Sequence, residues 1–202
     1  MIDSKAPEIS VEYSCVDDEG NKIEAQNVKY YRAPRTMVIT YAEKNFDPDG
    51  ITFDVAVGSD ISIIEPTKGV PLSKLSDYGI KVQSDLVDSQ EGRNSSTYND
   101  ERTNTLTLVF DVDNEYYILP HCTDLAGNSE RTISYSGNDT KTAKTTFVID
   151  QTPPVISQAQ YSSEDANFAG ASKSEDKPST AYSNKDVSVK VTIEEKNFSL
   201  SN

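Results

Sequence analysis

The chain has no tryptophan, one histidine and two cysteines in 202 residues, and only 19 basic residues stand against 33 acidic ones. Each shortage excludes something. A net charge of −14 repels phosphate backbones and anionic lipid, which argues against binding nucleic acid or a membrane surface. No apolar run approaches the roughly 20 residues that a membrane-spanning helix needs, and no basic segment followed by an apolar one opens the chain. The chain as given is expected to be soluble. The one histidine, His121, has no serine or cysteine arrangement around it that makes a recognisable triad. An imidazole without a base, orienter or metal does no chemistry, so His121 is expected to be a surface residue on a strand. Cys15 and Cys122 could bridge in an exported protein. If the first and sixth strands run antiparallel, however, the two thiols sit at opposite poles, beyond the roughly 7 Å between Cα atoms that a disulfide tolerates.

Helix is scarce as well, and strands fill its place. The hydrophobic fraction of 35% is low for a globular protein, but its spacing is too regular for a disordered one. "APRTMVITYAE" alternates, with Met37, Ile39 and Tyr41 on one face and Val38, Thr40 and Ala42 on the other. "KDVSVKVTIEE" sets Val187, Val189, Val191 and Ile193 against Ser188, Lys190, Thr192 and Glu194. "PEISVEY", "ITFDVAV", "NTLTLVFDV", "EYYILPHC" and "KTTFVID" repeat the pattern, separated by turn clusters such as "DPDG", "VDNE" and "LAGN". Seven or so strands with no crossover helix between them predict an all-β antiparallel sandwich. Tyr116, Ile118, Pro120 and Cys122 are expected to share a core face opposite Met37, Ile39 and Tyr41, with a bulge or an edge where Pro120 withholds its amide.

The chain also begins twice. "MIDSKAPEIS" (1–10) is answered by "FVIDQTPPVIS" (147–157), and "YYRAPRTMVITYAEKNF" (30–46) by "AYSNKDVSVKVTIEEKNF" (181–198). Two matched blocks in the same order, roughly 150 residues apart, are the mark of tandem domains. Residues 1–150 are expected to form one complete repeat and residues 151–202 the first two strands of a second, truncated one, so that the chain is a piece of a longer protein.

"FVIDQTPPVI", the "DLAGN" turn at Asp124 to Asn128, "YY…RT…I…EKNF" and the acidic hairpin "FDVDNEYY" resemble the tandem Ig-like domains of very long surface proteins of Gram-positive, especially gut, bacteria. The resemblance covers residues 1–63 and 105–202. It implies an Ig-like fold, a location on the cell surface with signal peptide and wall anchor outside this piece, and neighbouring Ig-like repeats as partners in the same chain. None of its motifs is catalytic, and no enzymatic activity is expected.

The motifs have a structural sense of their own. Pro7, Pro153 and Pro154 stiffen the joints between repeats, and in "DLAGN" Gly127 supplies the positive φ of a tight turn while Asp124 or Asn128 covers its amides. No cofactor is expected. Weak calcium binding is conceivable at "DVDNE" (111–115) or "DPDG" (47–50), although neither has the spacing of a calcium loop. Lys44 and Asn45 point to opposite faces of a strand and cannot cross-link to each other. The recurring "EKNF" is read as Phe46 and Phe198 closing a core, with the charged residues solvated.

Residues 64–104 fit the resemblance poorly. They read as an insertion that the sandwich does not demand, and long loops of that kind are often functional. Their apolar residues, Ile64, Val70, Leu72, Leu75, Tyr78, Ile80, Val82, Leu86 and Val87, either anchor a partner or cap the sandwich as extra strands or a short helix. On the first view Tyr78, Arg93, Tyr98 and Arg102 form a partner-binding surface, since Tyr and Arg dominate interface hot spots. The partner is then a host extracellular protein, with immunoglobulin a candidate because surface proteins like these include some that bind it. The alternatives are a stalk repeat that presents another domain and an accessory domain of a secreted glycosidase or protease.

Overall fold

A computed structural model describes residues 3–23, 29–88, 102–137, 144–164 and 183–196. The chain divides into two compact units, Met1–Gln151 and Thr152–Asn202. In the first unit the strands are β1 (Glu8–Cys15), β2 (Tyr30–Tyr31), β3 (Arg35–Glu43), β4 (Ile51–Gly58), β5 (Thr67–Pro71), β6 (Lys81–Asp88), β7 (Arg102–Phe110), β8 (Asn114–Cys122), β9 (Ile133–Gly137) and β10 (Thr146–Ile149). They form two five-stranded sheets, β6-β7-β3-β1-β9 and β2-β10-β8-β4-β5.

The sheets are antiparallel except at two edges, where β9 runs parallel to β1 and β2 parallel to β10. The expectation of wholly antiparallel sheets needs that correction. A parallel pair requires a long crossover, usually helical. Here almost the whole unit serves as the crossover, since β1 and β9 are separated by seven other strands.

Alternation decides what is buried. On β3 Arg35, Met37, Ile39, Tyr41 and Glu43 are buried, and on β8 Tyr116, Ile118, Pro120 and Cys122 are. Side chains from both sheets belong to one hydrophobic core, in which the Phe110 and Phe147 rings meet edge to face at 4.9 Å. Pro120 sits where β8 still pairs with β4 but the ladder to β10 has ended. The Ile118 amide is the last on that side to reach the β10 segment, bonding the Thr145 carbonyl at 2.9 Å, so Pro120 stands on a locally free edge.

Residues 64–104 are not spare. β5 completes one edge of the second sheet and β6 one edge of the first, joined by a 3-10 segment, Leu72–Tyr78, that ends at Gly79 with a φ of 70°. Val70, Leu75 and Ile80 are buried in the core, and Leu72, Tyr78 and Leu86 pack against it. Ile64 and Val82 are exposed. Most of the segment is thus part of the sandwich, and the view of it as an insertion outside the fold is overturned. β5 escapes a periodicity search because only Val70 of its five residues is buried.

Cys15 and Cys122 are buried and unbridged. Cys15 pairs with Arg35 at one end of β3, whereas Cys122 pairs with Ile51 near the other end. At that second pole Gly50 runs against Thr123, whose amide bonds the Gly50 carbonyl at 3.0 Å. A methyl group on Gly50 would lie 2.0 Å from the Thr123 carbonyl oxygen. Gly50→Ala is therefore expected to lower stability by about 2–3 kcal/mol through overpacking, and an unchanged urea midpoint would show that the two turns do not meet as described.

The second unit contains β11 (Val155–Ser163) and β12 (Val187–Glu194), an antiparallel pair whose register shifts between Ile156 and Gln158. Val187, Val189, Val191 and Ile193 are all exposed. Phe198 and most of 162–180, where weak order is expected, lie outside the described residues.

Candidate functional site

Of the four residues proposed for partner binding, Tyr78 closes the 3-10 segment and packs half-buried against the core. Arg102 opens β7 with its backbone opposite Glu43. Arg93 and Tyr98 lie outside the described residues.

The fold also makes a groove that the sequence reading missed. Its walls include Phe46, Ile51, Leu72, Val82 and Leu86, and Asn104 lies among them. Asn104 is only 6% exposed, and among the described residues its side-chain amide nitrogen has no hydrogen-bond partner. An apolar cleft with an unused donor can take an apolar side chain together with a carbonyl oxygen. The sequence signal was present in the apolar residues of 64–104, but which of them line the groove depends on the pairing of β6 with β7.

The two poles of the unit carry most of its organised polar chemistry. At the pole of Gly50 and Thr123, the Asp124 carboxylate accepts from the backbone amides of Ala126 and Asn128, both at 2.8 Å, and from the Asn128 side chain at 2.9 Å. Gly127 has a φ of 85°. "DLAGN" is the tight turn its composition predicts. It is tied to the end of β3 by the Leu125 amide, which bonds the Asn45 carbonyl at 3.0 Å. The N-terminal linker joins the same pole. The Asn128 side chain donates to the Asp3 carbonyl at 3.4 Å and the Asn45 side chain to the Asp3 carboxylate. Asp3 is held below the ordinary carboxylate range, first by the Lys5 backbone amide and then by the Asn45 amide.

Glu43 corrects the reading of "EKNF". Phe46 does pack on the core, its ring 6.0 Å from that of Tyr41, but Glu43 is 1% exposed and not solvated. It follows Tyr41 by two residues and so falls on the buried face of β3. The alternation could have placed it there; its charge suggested otherwise.

At the opposite pole the "DVDNE" acids have other partners. Asp111 pairs with Lys81, Asp113 accepts from the Gln151 amide at 3.0 Å, and Glu115 meets Lys29 at 2.5 Å. Back at the pole of the "DLAGN" turn, Asp47 accepts from the Asp49 amide at 3.1 Å and caps the short 3-10 turn Pro48–Gly50.

His121 is half-exposed on β8, with Nδ1 2.5 Å from Glu130 and Nε2 3.5 Å from Asp54. Both ring nitrogens face carboxylates, and among the described residues no hydroxyl or thiol is hydrogen-bonded to the ring. Among the described residues, then, the ring has no nucleophile within hydrogen-bond reach. Cys122 cannot supply one, since it faces the core, where burial pushes its thiol up to about 12.

No protein-family model, curated protein or solved structure matches the chain.

Proposed function

We propose that the chain is a non-catalytic, Ig-like stalk module of a bacterial surface protein, one repeat of an array that carries other domains away from the cell. The observation that carries this reading is where the linkers attach. Asp3 is bonded beside Asn45, just past the end of β3, whereas Gln151 is bonded to the Asp113 side chain and the Asp111 carbonyl, beside the start of β3. The first and last of the nine residues of β3 are eight steps of about 3.4 Å apart, which separates the two ends by roughly 27 Å. A module with its entry and exit at opposite poles extends an array with every copy added, whereas one with both at the same pole would fold the array back.

The Ig-like part of the proposal is supported by strand order. β1, β3, β7 and β6 stand in the positions of strands A, B, E and D, and β5, β4, β8 and β10 in those of C′, C, F and G. β2 and β9 are additional edges. The Tyr116 hydroxyl donates to the Val112 carbonyl four residues upstream at 2.8 Å, the bond made by the tyrosine corner of that fold at the start of strand F. Placement on a Gram-positive cell surface rests on the motif resemblance alone.

A second reading, capture of a host protein such as immunoglobulin, is favoured by the groove at Leu72, Val82 and Asn104. One experiment separates the two. The chain is immobilised and exposed to serum, mucosal secretions and mucin, and a stalk is expected to retain nothing above a blank surface. Retention of a defined protein that Val82→Glu abolishes without moving the Tm would sink the stalk reading and establish the groove.

A further inference from the structure

We propose that Asp3, Glu43 and Asp124 form a calcium site that fastens the N-terminal linker to its pole. Each offers a carboxylate oxygen, and the three oxygens lie within 4.8 Å of one another. Two ligands held at about 2.4 Å by the same ion can be that far apart.

A cluster of acids has a plainer explanation when its hydrogen bonds account for every oxygen, and for two of these residues they do. Asp124 organises the "DLAGN" turn with both oxygens. Asp3 accepts from the Lys5 amide at 3.0 Å and from the Asn45 side chain. Glu43 is different. One oxygen accepts from the Asn45 amide at 2.9 Å, but the other, Oε2, is buried with no hydrogen-bond partner among the described residues.

Among the described residues none of the three carboxylates is in an ion pair. A carboxylate that is 1% exposed, half unsatisfied and crowded by two others is costly unless a cation joins them. The donors are all oxygen, which selects a hard ion over zinc or copper. Calcium, which takes six to eight oxygens in flexible geometry, can complete its shell here with water and nearby carbonyl groups such as that of Asp3.

The site also follows the repeat. Asp3 sits in the linker motif and Glu43 in "EKNF", and both recur in sequence as Asp150 and Glu195. Hydrophobic closure accounts for the phenylalanine of "EKNF" but not for a buried glutamate. Bound calcium would join three segments remote in sequence, the linker, the end of β3 and the turn after β8, so that the linker could not swing. This is independent of what the module presents or captures.

The test uses the whole chain and calcium itself. Titration of the chelator-treated protein by calorimetry is expected to show one saturable site with a Kd of about 0.1–1 mM. The Tm of the first unit is expected to rise by about 3–6 °C in about 10 mM calcium. Glu43→Gln keeps the size of the side chain and an acceptor for the Asn45 amide. It is expected to abolish the calcium response while leaving the calcium-free Tm at or above that of the wild type, because a buried charge has been removed. If Glu43 were only structural, the variant would lose stability and the wild type would ignore calcium. Asp3→Asn, in the linker and outside the core, provides the second arm and is expected to weaken binding about tenfold. The proposal is overturned if wild-type protein shows neither heat nor Tm shift, if magnesium or sodium chloride at equal ionic strength reproduces the shift, or if the response survives both substitutions.

Discussion

Phe147→Ala is expected to cost the first unit about 4 kcal/mol, the largest loss from any single truncation of its core. Phe147 is fully buried on β10, a strand of only four residues that links β8 to β2. Its ring meets Phe110 at 4.9 Å and Tyr13 at 6.1 Å, both in the first sheet, and Tyr116 at 5.6 Å and Tyr31 at 6.3 Å in the second. The ring is therefore the point where the two sheets interlock. Removing it leaves a cavity walled by four rigid aromatics, which cannot collapse inward as aliphatic chains could. Phe147→Leu fills most of the space and is expected to lose no more than about 1.5 kcal/mol. Urea unfolding followed by far-UV circular dichroism measures both. A loss below about 1.5 kcal/mol for the alanine variant would mean that the sheets are held together elsewhere.

Arg35 should give the second-largest effect, and its sign depends on the replacement. The guanidinium is fully buried at the start of β3, with its carbon 3.7 Å from the Tyr13 ring centre, 4.4 Å from Phe147 and 4.7 Å from Tyr31. Burial pulls its pKa down from 12.5 to about 10, against the smaller opposing influence of Tyr13. The folded state thus favours the neutral form more than the unfolded chain does. At pH 7, below both values, the charge is retained at a cost that would be relieved only as the pH rose through about 10. The three ring faces offset part of that cost, since a desolvated cation over an aromatic face gains about 2 kcal/mol. Arg35→Ala loses the stacking and leaves a void, for an expected loss of about 3 kcal/mol. Arg35→Met loses the charge but keeps the volume, and is expected to remain within about 1 kcal/mol of the wild type or to exceed it. Equal losses for the two variants would show that the charge matters and the packing does not.

The same strand shows how far the sequence could be read. The period of two in "RTMVITYAE" places residues 35, 37, 39, 41 and 43 on one face, and all five are buried. Only the apolar three were assigned to the core, because charge is a good indicator of exposure in general and a poor one at the two ends of a core strand. There an arginine can reach aromatic faces at one pole and a glutamate can meet the turns at the other. Tyr116, Ile118, Pro120 and Cys122 were legible for the same reason, as was the "DLAGN" turn, whose chemistry is local: an aspartate, a glycine with positive φ and amides within four residues of each other. β5 and β6 were not legible. The first has one buried residue in five, and the second breaks register twice against β7, so neither carries a clean period.

The sequence by itself determined the all-β class, the faces of the long strands, the turn chemistry and the recurrence of its linker and "EKNF" blocks, because each is written in residues close together along the chain. The tertiary structure alone decided that β9 and β2 pair in parallel at the edges, that 67–88 completes both sheets, and that Asp3, Glu43 and Asp124 converge at one pole. Those outcomes depend on contacts between segments up to 125 residues apart, such as the bond from Asn128 to Asp3. Side-chain periodicity tells each strand which face to bury; only the closing of the two sheets over one core chooses its neighbours.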